Sequence, residues 1–89
     1  MVWVSGQTAS ITSHRVNVTE QPGSRLSIRR LAAGATKFFR QDAERWVRMT
    51  PDDVQLVDLG TPVCVESLLD HGQYLAIRVF VGAACGPRP

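Results

Sequence analysis

Residues 73–82 read QYLAIRVFVG, the longest run of apolar and β-branched residues in the chain. Side chains alternate across a strand, so the pattern predicts one face made of Leu75, Ile77, Val79 and Val81. The other face would carry Tyr74, Ala76, Arg78 and Phe80. Because both faces are largely apolar, the pattern favours a central strand that is paired on both edges and covered on both sides. The rest of the chain must then supply its neighbours.

Length and composition indicate one small globular domain over residues 1–89. The chain is 44% hydrophobic and 20% charged, which is ordinary for a folded protein and excludes wholesale disorder. No apolar run approaches the roughly 18 residues of a membrane span. The first residues, MVWVSGQ, lack the basic leader and apolar stretch of a signal peptide. We therefore expect no membrane association, and a location in the cytoplasm or in a virion.

Charge is distributed unevenly along the chain. Residues 1–49 hold eight basic and three acidic side chains, a net charge of +5. Residues 50–89 hold two basic and five acidic side chains, a net charge of −3. A basic half and an acidic half suit head-to-tail contacts between copies, and the basic half also makes nucleic-acid binding a possibility.

The sequence of the N-terminal third predicts an apolar arm at residues 1–6, followed by a β-hairpin from His14 to Leu31. Pairing Val18 with Leu26 and Val16 with Ile28 places these four side chains on one face. The opposite face then carries a basic stripe made of Arg15, Arg25 and Arg29. The stripe has two interpretations: a solvated surface, or a contact for nucleic acid or an acidic protein.

Residues 35–49 are compatible with two structures. A helix would place Phe39, Ala43, Trp46 and Val47 on one side, in the core. A hairpin would turn at residues 41–43, between the segments KFFR and RWVRM. We favour the helix, because Ala43, Glu44 and Arg45 are good helix formers at the place where the hairpin would turn.

Residues 50–60 and residues 61–72 have the same pattern of terminal residues: each segment begins with Thr-Pro and ends with Gly. This pattern is typical of short helices that are capped at both ends. Asp52 and Asp53 support the first helix electrostatically. The second segment remains open, because VCVESLL prefers a strand and would pair with residues 73–81 across Asp70-His71-Gly72. The expected fold class is α+β: a small antiparallel sheet with an N-terminal hairpin, one or two short helices and a long C-terminal strand.

Residues 50–79 resemble, in their spacing, the helix-turn-helix of small excisionase-type DNA-binding proteins. The segment TPDDVQLVDLGTPVCVESLLDHGQYLAIRV would supply a short helix, a turn, a second helix and a wing strand. The resemblance implies that residues 62–71 form a recognition helix, with Pro62, Val63 and Glu66 towards bases and Arg78 on the wing. The segment departs from the pattern because the recognition helix would contain no Lys or Arg.

No residues cluster in a pattern typical of catalysis or metal binding. His14 and His71 are separated in the predicted elements, and neither Cys64 nor Cys85 has an evident base. The spacing of Cys64, His71 and Cys85 matches no common zinc pattern. We expect both cysteines to be reduced, with Cys64 packed as a small apolar residue. The sequence therefore predicts a non-enzymatic protein without a cofactor, metal or small-molecule substrate.

Assembly is the function that these features favour. The apolar arm, an irregular tail at residues 83–89 and the opposed charges predict a homo-oligomer or a larger protein assembly. A small phage-type accessory subunit of a virion head or tail is one concrete case. The alternative is a small nucleic-acid-binding regulator with the helix-turn-helix at residues 50–79. We predict that partners are contacted by the following residues: Trp3, Arg15, Arg25, Arg29 and Pro87.

Overall fold

The computed structural model describes residues 1–83 and residue 85. Its strands are β1 (Val2–Ile11), β2 (Arg15–Gln21), β3 (Ser24–Arg30), β4 (Lys37–Asp42), β5 (Arg45–Arg48), β6 (Pro62–Asp70) and β7 (Gln73–Val81). A 3-10 turn (Ala32–Gly34) precedes β4, and a short helix α1 (Pro51–Gln55) follows β5. The described chain is therefore mostly β with very little helix, and the expected α+β class is wrong.

Five strands form a closed barrel, and two more extend it. The barrel order is β3-β2-β1-β6-β7, and a parallel pairing of β3 with β7 closes it. The remaining four interfaces of the barrel are antiparallel. Beyond the β3 contact, β7 also pairs in parallel with β4, which carries β5 as its outer neighbour. β7 is thus paired along both edges, as its sequence predicts.

The barrel interior is filled mainly by valines. The largest fully buried apolar side chains come from β2, β3, β6 and β7: Val16, Val18, Ile28, Val63, Val65 and Val79. α1 contributes Val54, which packs into the same core. Branched side chains suit a small barrel because they fill the narrow space between strands without polar atoms.

Gly6 allows β1 to pass close to β2. A Cβ built on Gly6 would collide with the carbonyl oxygen of Thr19 and approach Cγ1 of Val18 within 2.7 Å. These atoms belong to the neighbouring strand, so any side chain larger than hydrogen would force the two strands apart. Residues 1–6 were expected as an arm, but residues 2–6 lie in β1 and pair with β6.

The β2–β3 hairpin has the register that its sequence predicts. Val18 pairs with Leu26 and Val16 with Ile28, and a register shift lies between Thr19 and Gln21. Arg15, Arg25 and Arg29 consequently point away from the core and are exposed.

The predicted facing of β7 holds for only half of the strand. Val79 and Val81 face the core, but β7 has one extra residue, Ile77, opposite Glu66 and Ser67 of β6, and this register shift inverts the alternation in residues 74–76. As a result Ala76 is buried and Tyr74 packs against the core, whereas Leu75 pairs with the exposed Leu68. A β-bulge has no reliable sequence signature, which is why alternation alone misplaced this half.

Residues 35–49 form a hairpin, so the helix prediction is wrong there. β4 and β5 pair antiparallel across Ala43 and Glu44, and Ala43 has a φ of 56°. Residues 62–70 are likewise a strand, β6, so the helix-turn-helix prediction has no recognition helix. The helix at the start of residues 50–60 is confirmed, with Thr50 and Asp53 forming a capping box.

Candidate functional site

Four of the six aromatic residues lie on the outside of the barrel and its extension. They are Trp3 on β1, Phe80 on β7, Phe39 on β4 and Trp46 on β5. We call this surface the aromatic face. Their strand neighbours Val4, Val79 and Phe38 are buried in the core, so alternation directs the aromatic rings to the opposite side of the sheet.

Phe80 is the centre of the aromatic face. Its ring stacks on Phe39 with centroids 5.3 Å apart and on Trp3 at 6.3 Å, and Trp46 meets it edge-on at 5.1 Å. These separations are those of favourable aromatic pairs. Although the rings contact one another, Trp3 remains 37% exposed and Trp46 41% exposed. The cluster is therefore only half covered.

Cations border the aromatic face. Arg78 lies beside Phe80, with Cζ 5.8 Å from the ring centroid, and forms two hydrogen bonds to the Glu66 carboxylate at 2.8 and 2.6 Å. Those bonds and the charge of Glu66 raise the pKa of Arg78, which keeps the guanidinium protonated. Lys37 pairs with Arg78 and Arg48 with Phe39, so both side chains share this surface and both are exposed.

A disulfide between Cys64 and Cys85 crosses the same side of the sheet. Cys64 pairs with Ser5 on β1 and with Phe80 on β7. The Cys85 backbone N–H donates to the Ser5 hydroxyl at 2.9 Å. The disulfide corrects the expectation that both cysteines are reduced. It ties residue 85 down beside the aromatic face.

The connector between α1 and β6 presents two leucines to solvent. Leu56 is 77% exposed and Leu59 is 76% exposed, the highest values among the large hydrophobic side chains described. Asp52 and Asp53 lie in α1 and Asp58 lies in the connector, and no basic residue occurs in sequence between Met49 and Arg78. We call residues 52–59 the acidic end.

Hydrogen bonds anchor the acidic end to β1. Thr8 donates from both its backbone N–H and its hydroxyl to the Thr61 carbonyl, each at 2.8 Å, and the Gly60 N–H donates to the Thr8 carbonyl at 2.7 Å. Val54 is buried and Val57 packs on the core, so this turn holds the leucines outward on a fixed base.

The three predicted arginines form a second exposed surface on β2 and β3. Arg15 pairs with Arg29, and Arg25 pairs with Thr19. Asn17 and Ser27 lie between them, where Asn17 donates to the Ser10 hydroxyl at 2.8 Å and Arg15 donates to the Ser27 hydroxyl at 3.3 Å. We call this surface the arginine face. It contains no aromatic residue.

A cleft beside α1 contains no side chain that commonly acts as a general acid or base. It has a volume of about 450 Å³ and lies between α1 and the 3-10 turn. Two arginines, Arg30 and Arg48, line it. Arg30 donates to the Thr12 carbonyl at 2.6 Å and lies over Phe38 at 4.8 Å, and burial lowers the pKa of Arg30. No His, Cys, Asp or Glu lines it. In residues 1–83 and 85, no three such side chains are grouped as metal ligands.

The predicted site residues have different positions. Trp3 belongs to the aromatic face, and Arg15, Arg25 and Arg29 share the arginine face. Pro87 and most of the predicted tail lie outside the described residues. Sequence reasoning missed Phe39, Trp46 and Phe80 as surface residues, because a helix over residues 35–49 would have buried the first two.

Comparison of the chain with protein-family models, with curated proteins and with solved structures finds no match. In the part of the chain that the structure describes, no helix has the length and apolarity needed to cross a membrane.

Proposed function

We propose that this chain is a non-enzymatic assembly protein that associates with further copies of itself, the aromatic face of one copy receiving the acidic end of the next. The observation that carries the proposal is the outward position of four contacting aromatic rings on a sheet whose interior is already filled. Exposed aromatic patches of this kind are typical of protein-binding surfaces.

The acidic end has the chemistry that the aromatic face requires. Leu56 and Leu59 supply apolar side chains for the rings, and Asp52 and Asp58 supply charges opposite to those of the cations that border the rings. Two different surfaces meet in such a contact, so it is head-to-tail. Head-to-tail contacts close into rings or extend into filaments.

The free energy of one contact is modest. Burying the exposed part of each tryptophan would contribute about 2 kcal/mol, and each leucine about the same. The total of about 8 kcal/mol lies within the 4 to 15 kcal/mol that association costs in lost freedom. Exposed ion pairs add under about 1 kcal/mol each and weaken in salt. The net free energy of one contact is therefore no more favourable than about −4 kcal/mol, which corresponds to a dissociation constant in the millimolar range, and association is strengthened where several contacts form together.

The disulfide is evidence about the location in which the protein acts. Disulfides persist at virion and cell surfaces and in secreted proteins, and they are rare in the reducing cytosol. Of the two locations expected from the sequence, the Cys64–Cys85 bond favours the virion. A small accessory subunit of a phage head or tail therefore remains the concrete case of this proposal.

Sedimentation velocity of the oxidised protein, from tens of micromolar to about a few millimolar, tests the proposal. We expect the wild type to form larger species as its concentration rises and Trp46→Ser to remain monomeric. The control is Leu68→Ser, which removes an exposed leucine that lies on neither proposed contact surface. This variant should behave as the wild type. A wild type that stays monomeric throughout, or equal loss in both variants, would contradict the proposal.

A further inference from the structure

The arginine face differs in chemistry from the proposed assembly surfaces. The six outward side chains of the paired segments are Arg15, Asn17, Thr19, Arg25, Ser27 and Arg29. Each can donate a hydrogen bond, three carry a positive charge, and none is acidic. The nearest acidic residue along these strands, Glu20, lies at the register shift at the hairpin end.

This composition favours a nucleic acid over an acidic protein as the partner of the arginine face. A stable protein interface needs an apolar or aromatic anchor at its centre, and the arginine face has none. A phosphodiester backbone needs only cations and hydrogen-bond donors, and guanidinium groups together with Ser, Thr and Asn side chains are its usual contacts.

The shape of the arginine face indicates one strand of nucleic acid. The face is two β-strands wide, and Arg25 lies four positions along β3 from the Arg15–Arg29 pair, which corresponds to about 13 Å along the strands. Next to Arg29 it continues into a groove of about 300 Å³ that is lined by Ser13 and His14. Such a strip can follow a single backbone. It has no helix or protruding ribbon of its own to enter a duplex groove.

We propose that the arginine face binds single-stranded nucleic acid through its phosphates, without sequence preference. Three phosphate contacts to a single strand give a salt dependence with a slope of about −2 in log K against log salt. The affinity should therefore fall about fifteenfold between 50 and 200 mM salt. Without an aromatic ring to stack on, the bases contribute little, so different sequences should bind alike.

Fluorescence anisotropy with labelled oligothymidine of about 15 nucleotides tests this. The test variant is Arg15→Gln/Arg25→Gln/Arg29→Gln. The matched control, Lys37→Gln/Arg40→Gln/Arg45→Gln, removes the same charge from the β4–β5 hairpin. We expect the test variant to bind at least tenfold more weakly in low salt, with a slope reduced by about 2, and the control to keep most of the affinity.

Three results would overturn the proposal. Equal losses in the two triple variants would show that net charge, and not the arginine face, attracts the oligonucleotide. Tighter binding of a duplex of the same sequence would exclude the single-strand assignment. Tighter binding of a polyglutamate peptide would make the surface a site for acidic protein. Circular dichroism of each variant establishes that the fold is retained.

Discussion

The ring of Phe39 stacks on the ring of Phe80 across the parallel pairing of β4 and β7, with centroids 5.3 Å apart. This stack and the edge-on contact of Trp46 join the β4–β5 hairpin to the barrel from the outside. The same rings that hold the hairpin in place thus form the surface proposed for assembly.

Phe80→Ala should loosen the β4–β5 hairpin. The substitution removes the ring that Trp3, Phe39 and Trp46 share, and Phe80 is half-buried, so we expect a loss of about 2 kcal/mol in the free energy of unfolding. Urea titration measures the loss. Leu68→Ala, at an exposed leucine on β6, is the control and should change little. An unchanged midpoint for Phe80→Ala would show that the cluster does not support the hairpin.

Gly6→Ala should destabilise the barrel by about 1 to 3 kcal/mol. The added methyl group would collide with the Thr19 carbonyl oxygen, which belongs to the paired backbone of β2 and cannot move alone. Gln7→Ala, at the exposed neighbouring position, is the matched control. Thermal unfolding that gives the same midpoint for both variants would contradict the close approach of β1 to β2.

Removing the disulfide should lower stability without preventing folding. The bond closes a segment with a sequence separation of 21 residues, which corresponds to about 3 kcal/mol in the chain-entropy account. We expect Cys64→Ser/Cys85→Ser to keep its β-type circular dichroism, because the pairings of β6 with β1 and β7 do not depend on the bond. Equal urea midpoints for the double variant and the oxidised wild type would be evidence against the disulfide.

The capping box of α1 should make stability depend on pH in acid. Hydrogen bonds from the backbone and then the side chain of Thr50 lower the pKa of Asp53. A carboxyl group with a lowered folded pKa stabilises the fold above its unfolded pKa, about 3.9, and loses that contribution as pH falls through the folded pKa. Asp53→Ala should therefore be less stable than the wild type at neutral pH. The difference in the free energy of unfolding between the two proteins, measured by urea titration, should become smaller below about pH 4. A constant difference would contradict the capping role.

Local patterns predicted the elements whose causes are local. The pairing of Val16 with Ile28 follows from alternation, and the cap of α1 follows from Thr50-Pro51 and the two following aspartates. The three arginines of the arginine face follow from the same alternation. For this reason one of the two candidate surfaces was predictable from the sequence.

The aromatic face was not predictable because its causes are distant in sequence. Ala43 and Glu44 favour a helix by propensity, but contacts of Phe39 and Trp46 with Phe80 select a hairpin. Cys64 and Cys85 become neighbours only once β6 lies between β1 and β7. Trp3 was predicted to contact partners as part of an arm. Its actual neighbour, Phe80, required knowledge of the barrel order.

A mixing experiment tests the head-to-tail account most directly. Trp46→Ser disables the aromatic face and leaves the acidic end intact. Leu56→Ser/Leu59→Ser disables the acidic end and leaves the aromatic face intact. In sedimentation velocity we expect each variant alone to be monomeric and an equimolar mixture to form a one-to-one dimer, because each variant supplies the surface that the other lacks. A mixture that remains monomeric under conditions in which the wild type assembles would show that these two surfaces do not bind each other.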